Sequence, residues 1–138
     1  MRVEEIMTRH PVYIRSDANV FAALTMLRDL DVRHLPVVDG DELVGIISDR
    51  DLTSFSAAEL EKASVIDSPS DLTLRLKQSI AHLMSPTIFF VNPESSVTEA
   101  IDIMLDQKIG AIPVVDVDNS LVGIVTYFDV LKEAGKIL

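Results

Sequence analysis

Apolar and polar positions alternate along this chain in two rhythms, and the whole succession occurs twice. Val20, Ala23, Leu24, Leu27 and Leu30 are spaced three and four apart, which sets them on one face of a helix. Val97, Ala100, Ile101, Met104 and Ile109 repeat that stripe. Asn19 is placed to cap the first helix, and Ser96 with Glu99 predicts a capping box on the second. Ahead of each helix the pattern predicts an amphipathic turn (residues 3–7 and 80–84) and a short apolar strand (residues 12–14 and 88–91). Behind each helix it predicts two further strands, at residues 35–38 and 43–48 and again at 112–115 and 121–126. Asp39-Gly40-Asp41-Glu42 joins the first pair, and Asp-Gly between apolar runs is a strong hairpin signal. A last helix is expected to begin near Asp49 and near Tyr127. Each copy therefore reads strand, helix, strand, strand, helix, an α/β (α+β) unit.

The copies are close in sequence as well as in pattern. Leu35-Pro36-Val37-Val38 returns as Ile112-Pro113-Val114-Val115, and Leu43-Val44-Gly45-Ile46-Ile47-Ser48 as Leu121-Val122-Gly123-Ile124-Val125-Thr126. The offset is 77 residues at Pro36 and Pro113 and 78 at Gly45 and Gly123, so the second hairpin carries one extra residue. Two copies of one supersecondary unit are expected to bury apolar faces against each other, packed sheet to sheet, with a ligand in the groove between them. The copies occupy residues 1–58 and 80–138, and 59–79 is expected to be a linker with a helical segment, its Ser, Pro and Asp marking the boundary.

Composition narrows the class. Apolar residues make up 48% of the 138 and charged residues 25%, as in a folded globular chain. Cysteine is absent, which excludes disulfides and thiolate chemistry. His10, His34 and His82 lack metal-ligand spacing, so no metal site is expected. No apolar run approaches the roughly 20 residues that span a bilayer, and the acidic start MRVEEIM does not read as a signal peptide. A cytoplasmic protein without membrane association is expected. The net charge of −10 argues against nucleic acid, which needs a basic footprint. Six of the seven arginines nevertheless fall in the first copy and none in the second, and a few converging arginines can hold an anion whatever the net charge.

The candidate chemistry sits where the last strand of each copy runs into the last helix. Ser48-x-x-Asp51 and Thr126-x-x-Asp129 place a hydroxyl and a carboxylate at the positive end of a helix dipole. There the hydroxyl can donate to phosphate and the carboxylate can accept from ribose hydroxyls. The same spacing equally makes a capping box that does no more than start a helix. Gly45 and Gly123 read as strand glycines at a bulge or a close backbone approach. No Ser-His-Asp order with elbow glycines and no Gly-rich phosphate loop is present, so no catalytic residues are expected and the chain reads as a non-enzyme.

The ordered motifs MTRHPVYI, ANVFAAL, HLPVVD and LVGIISDRDL, with their repeats, resemble the CBS domain, named after cystathionine β-synthase. The resemblance covers nearly the whole chain outside the linker and implies a tandem pair, or Bateman module. It implies that Ser48, Asp51, Thr126 and Asp129 bind a nucleotide, since nucleotide-binding members use this motif at the same junctions. Arg33 and His34 stand where such members often place basic residues on the phosphates, and Arg50 in Ser-Asp-Arg-Asp is a further candidate for phosphate; the second copy has Gly110, Ala111 and Phe128 instead. Val12, His10 and Thr87 fall in the segment that lines the adenine pocket of the family, and Ile112 and Pro113 complete the expected set. The implied ligand is AMP, ADP or ATP, a regulatory ligand rather than a required cofactor, bound at two unequal sites. S-adenosylmethionine, or a ligand-free dimerisation scaffold, are the alternatives. The partners expected are a second copy, giving a homodimer, and a separate effector protein.

Overall fold

The computed structural model describes residues 1–52, 76–84 and 88–138. Most of the expected linker, and Thr87, lie outside these residues. In chain order the elements are β1 (Thr8–Arg9), β2 (Ile14–Arg15), α1 (Val20–Asp29), β3 (His34–Asp39), β4 (Glu42–Ser48), α2 (Val97–Gln107), β5 (Ala111–Val115), β6 (Leu121–Thr126) and α3 (Tyr127–Ile137), with 3-10 turns at Val3–Glu5 and Ile80–His82. Residues 49–52 are helical, continuing from β4 as α3 continues from β6. The helices, hairpins and turns stand where the periodicity puts them. Asn19 caps α1 by accepting the Ala22 N–H at 2.8 Å. Ser96 caps α2 through the Glu99 N–H at 3.1 Å, but the expected return bond from the Glu99 side chain is not formed.

The strands ahead of the helices are shorter than expected. In the first copy only Ile14 and Arg15 pair, in parallel with Val37 and Val38, and Val12 lies outside the strand. In the second, residues 88–91 contribute a single bridge, Val91 to Val114. Leu30, placed on the buried stripe of α1, falls one residue past the helix end and is exposed.

The described residues sort into two compact units, each built on one three-stranded sheet. One sheet is ordered β1-β6-β5 and the other β2-β3-β4. The unit carrying Thr126 comprises Met1–Val12, Asp41–Leu43 and Thr87–Leu138; the unit carrying Ser48 comprises Tyr13–Gly40 and Val44–Pro86. The opening turn of each copy therefore belongs to the unit built on the other copy. Val3 is fully buried in a core with Ile6, Val91, Ala100, Ile112, Val114 and Val125. Its repeat partner Ile80 is fully buried with Ile14, Ala23, Leu35, Val37 and Ile47. Six residues of each core are repeat partners: Val3 and Ile80, Val91 and Ile14, Ala100 and Ala23, Ile112 and Leu35, Val114 and Val37, Val125 and Ile47.

This exchange accounts for the strand glycines. An added Cβ at Gly45 would lie 2.7 Å from the Met84 sulfur, and at Gly123 2.6 Å from the Met7 sulfur. Met7 and Met84 are repeat partners, and each rests on the glycine of the unit that receives its turn. At Gly123 the Thr8 carbonyl oxygen also comes within 3.1 Å, because β1 pairs with β6 there. The close approach expected at these glycines is thus made by methionine and, at Gly123, by backbone.

Candidate functional site

Each unit has one junction of strand into helix, and both junctions are built alike. In the Ser48 unit, the Asp51 N–H donates to Ser48 Oγ at 3.1 Å and the Ser48 N–H donates to Asp51 Oδ2 at 2.9 Å. In the Thr126 unit, the Asp129 N–H donates to Thr126 Oγ1 at 3.3 Å and the Thr126 N–H to Asp129 Oδ2 at 2.9 Å. Both motifs are therefore reciprocal capping boxes, which fix hydroxyl and carboxylate at the positive end of a helix. A carboxylate held this way keeps acceptor capacity on its other oxygen, because each oxygen carries two lone pairs.

A second backbone bond draws the start of the preceding strand to the same place. The Asp49 N–H donates to the Arg33 carbonyl at 2.9 Å, and its counterpart runs from Tyr127 to Gly110 at 3.0 Å. These bonds set Arg33 and His34 beside Ser48, Arg50 and Asp51, so five of the residues expected from the sequence stand together in one unit. In the other unit the same scaffold carries Gly110, Ala111 and Phe128, with no cation at any of the three positions. The side chains of Arg33 and Arg50 are exposed, and Phe128 is 65% exposed.

Burial lowers the pKa of His34 below its ordinary value near 6.5. Asp49 opposes that shift, Arg33 adds to it and Asp51 again opposes it. At neutral pH the imidazole is neutral, and a phosphate brought beside it would favour the charged form. Arg2, Arg15 and Arg28 form surface ion pairs with Glu4, Asp17 and Asp29.

The remaining candidates divide between exposed segment and framework. His10 and Val12 are exposed in the Thr126 unit, on the segment that follows β1, and His10 has a left-handed backbone with φ of 51°. Ile112 is fully buried, and the Pro113 carbonyl accepts the Val91 N–H at 3.1 Å, so both hold the sheet together. Thr8 was not among the expected site residues. Its hydroxyl donates to Asp129 Oδ1 at 3.4 Å, across 121 residues of sequence. The only sequence signal for it is the hydroxyl that recurs at its repeat partner, Ser85. Among the described residues no group of acids and histidines is placed to hold a metal ion, and no helix is long and apolar enough to cross a membrane.

Comparison with known proteins places this scaffold. The CBS domain profile matches residues 3–58 and again 80–136. A CBS domain-containing protein of Dictyostelium discoideum is 33% identical over 137 residues, covering 99% of this chain and 92% of that protein. The first curated relatives are longer, and the chain spans only 45% and 23% of their length. The crystal structure of CBSX2 in complex with AMP is 29% identical with a TM-score of 0.80, over 99% of this chain and 97% of that one. The CBS domain pair of protein MJ0100, in complex with 5'-methylthioadenosine and S-adenosyl-L-methionine, is 26% identical with a TM-score of 0.79, over 96% and 98%. Two matches in sequence and full-length structural agreement show that the chain belongs to the CBS domain family, as a tandem pair.

Proposed function

We propose that this CBS pair is a regulatory module that senses an adenine-containing nucleotide and passes the signal to a separate partner. The observation that carries the reading is the gathering of Arg33, His34, Ser48, Arg50 and Asp51 at one strand-to-helix junction. In this reading Ser48 Oγ and the first turn of the helix hold phosphate, with Arg33 and Arg50 supplying charge. Guanidinium groups suit phosphate oxygens, which they can bind through two donors. Asp51 accepts from the ribose. Thr126 and Asp129 repeat the arrangement without cations at the three matching positions, so the two units are unequal. AMP, ADP or ATP suits the Ser48 unit, and the AMP complex of CBSX2 supports that class.

A second reading applies to the Thr126 unit alone. With Gly110, Ala111 and Phe128 in place of the cations, it suits an adenosyl compound without phosphate. S-adenosylmethionine and methylthioadenosine belong to that class, and MJ0100 holds both. Binding one arrangement of the module better than another is the only way such a ligand can act.

Thermal melting with AMP, ADP, ATP and S-adenosylmethionine tests both readings. A ligand at 100 times its Kd adds about 2.7 kcal/mol of stability. The expected outcome is a shift with AMP that Asp51→Ala removes. No shift with any of the four would leave the dimerisation scaffold as the better account.

A further inference from the structure

The Thr126 unit contains a contact that its fold does not need. Asp129 is already oriented by its own helix: Oδ2 accepts the Thr126 N–H at 2.9 Å and the Thr126 hydroxyl at 3.2 Å. Oδ1, the oxygen left over, receives the Thr8 hydroxyl at 3.4 Å. The segment that brings Thr8 there is anchored upstream by buried Val3 and by Met7 against Gly123. Thr8 and Arg9 then pair with Ile124 and Gly123, and at His10 the chain turns away with positive φ. Thr8 is thus the last anchored hydroxyl before the chain leaves the sheet, and it is exposed.

We propose that Thr8 is a positioning residue acting through Asp129, a latch that occupies the ribose acceptor while the Thr126 unit is empty. The proposal rests on the reading of Asp129 as that acceptor. A ribose hydroxyl arriving at Oδ1 takes the place of the Thr8 hydroxyl, which is freed to water. The latch is easily displaced, since 3.4 Å is long for a hydroxyl donor, whose usual distance is near 2.8 Å. Because β1 is only two residues long, releasing Thr8 loosens its pairing with β6. Occupancy of the unit is thereby felt by the N-terminal segment, and by reciprocity the seating of that segment sets the affinity for the ligand.

The test uses adenosine as probe and the full chain carrying Asp51→Ala, so that binding reports the Thr126 unit. Calorimetric affinities are compared for Thr8, Thr8→Val, Thr8→Ser and Asp129→Ala in that background. Valine keeps the shape, suits a strand and removes only the hydroxyl. The latch predicts that Thr8→Val binds adenosine about two- to tenfold tighter, the worth of one net hydrogen bond, while Thr8→Ser stays near the parent. It predicts also that adenosine speeds amide exchange at Thr8 and Arg9 in the parent and not in Thr8→Val. If adenosine binding needs Asp129 but Thr8→Val is unchanged or weaker, the latch is overturned and the ribose reading stands. Binding indifferent to Asp129→Ala, or no adenosine binding at all, overturns both.

Discussion

The Ser48 unit and the Thr126 unit share a skeleton and differ in what stands around it. Leu35 and Ile112, Val37 and Val114, Ala23 and Ala100 fill the same positions in two separate cores. Both units cap their last helix with a reciprocal box, and both tie the helix start to the residue ahead of the Leu/Ile-Pro-Val-Val strand. Around that common frame the Ser48 unit gathers Arg33, His34 and Arg50, whereas the Thr126 unit has Gly110, Ala111 and Phe128. The lesson is that repetition preserved what folds and left free the residues proposed to bind.

Substitutions that strike the shared frame should affect both units alike, and with the largest effect. Leu35→Ala and Ile112→Ala each empty a fully buried position, at a cost of about 2–5 kcal/mol in urea unfolding. A large loss from one and none from the other would show that the cores are not equivalent. The glycines should come next. An added Cβ at Gly123 meets the Met7 sulfur and the Thr8 backbone, and one at Gly45 meets the flexible Met84 side chain. Overpacking costs about 1–3 kcal/mol, and Gly123→Ala is expected at the upper end, with Gly45→Ala partly relieved by a second change, Met84→Ala. Ser48→Ala and Thr126→Ala remove helix caps and should each cost about 0.5–2 kcal/mol in the same assay. A cap loss near zero in one unit would mean that its helix is held by other contacts.

The smallest effect belongs to His34 and to one unit only. Its folded pKa lies below the unfolded value near 6.5. The unfolded chain therefore binds the proton more readily, and stability rises with pH through this window. The contribution is complete above about pH 6.5 and is lost as pH falls from there through the lowered folded pKa. Melting at pH 7.5 and pH 5.5 should show wild type losing more stability on acidification than His34→Gln. An identical loss in both proteins would remove burial of His34 as the cause.

Much of this was legible in the sequence because local physics repeats itself. Spacings of three and four fixed the helices, Asn19 and Ser96 fixed their starts, and Asp39-Gly40 marked the hairpin. The Ser/Thr-x-x-Asp motif is the capping box its spacing allowed, and that box holds the proposed ligand groups in place. The exchange of opening turns was not legible. Val3 and Ile80 are interchangeable apolar residues, so periodicity cannot tell which core each one enters. Thr8 escaped for the same reason: its partner Asp129 lies at the far end of the chain, and nothing near Thr8 in sequence announces a carboxylate. The short pairing of β2 and the single bridge at Val91 were overestimated because apolar runs show which residues are buried, not how many form ladder bonds.

The central claim is that one unit recognises phosphate and the other does not. Calorimetric titration of AMP against adenosine tests it most directly, on wild type, Asp129→Ala, and Arg33→Ala with Arg50→Ala. The account predicts that AMP binds tighter than adenosine to wild type and to Asp129→Ala. It predicts that this preference collapses when the two arginines are removed, while adenosine binding persists. A preference for AMP that survives loss of both arginines, or that disappears with Asp129→Ala, would contradict it.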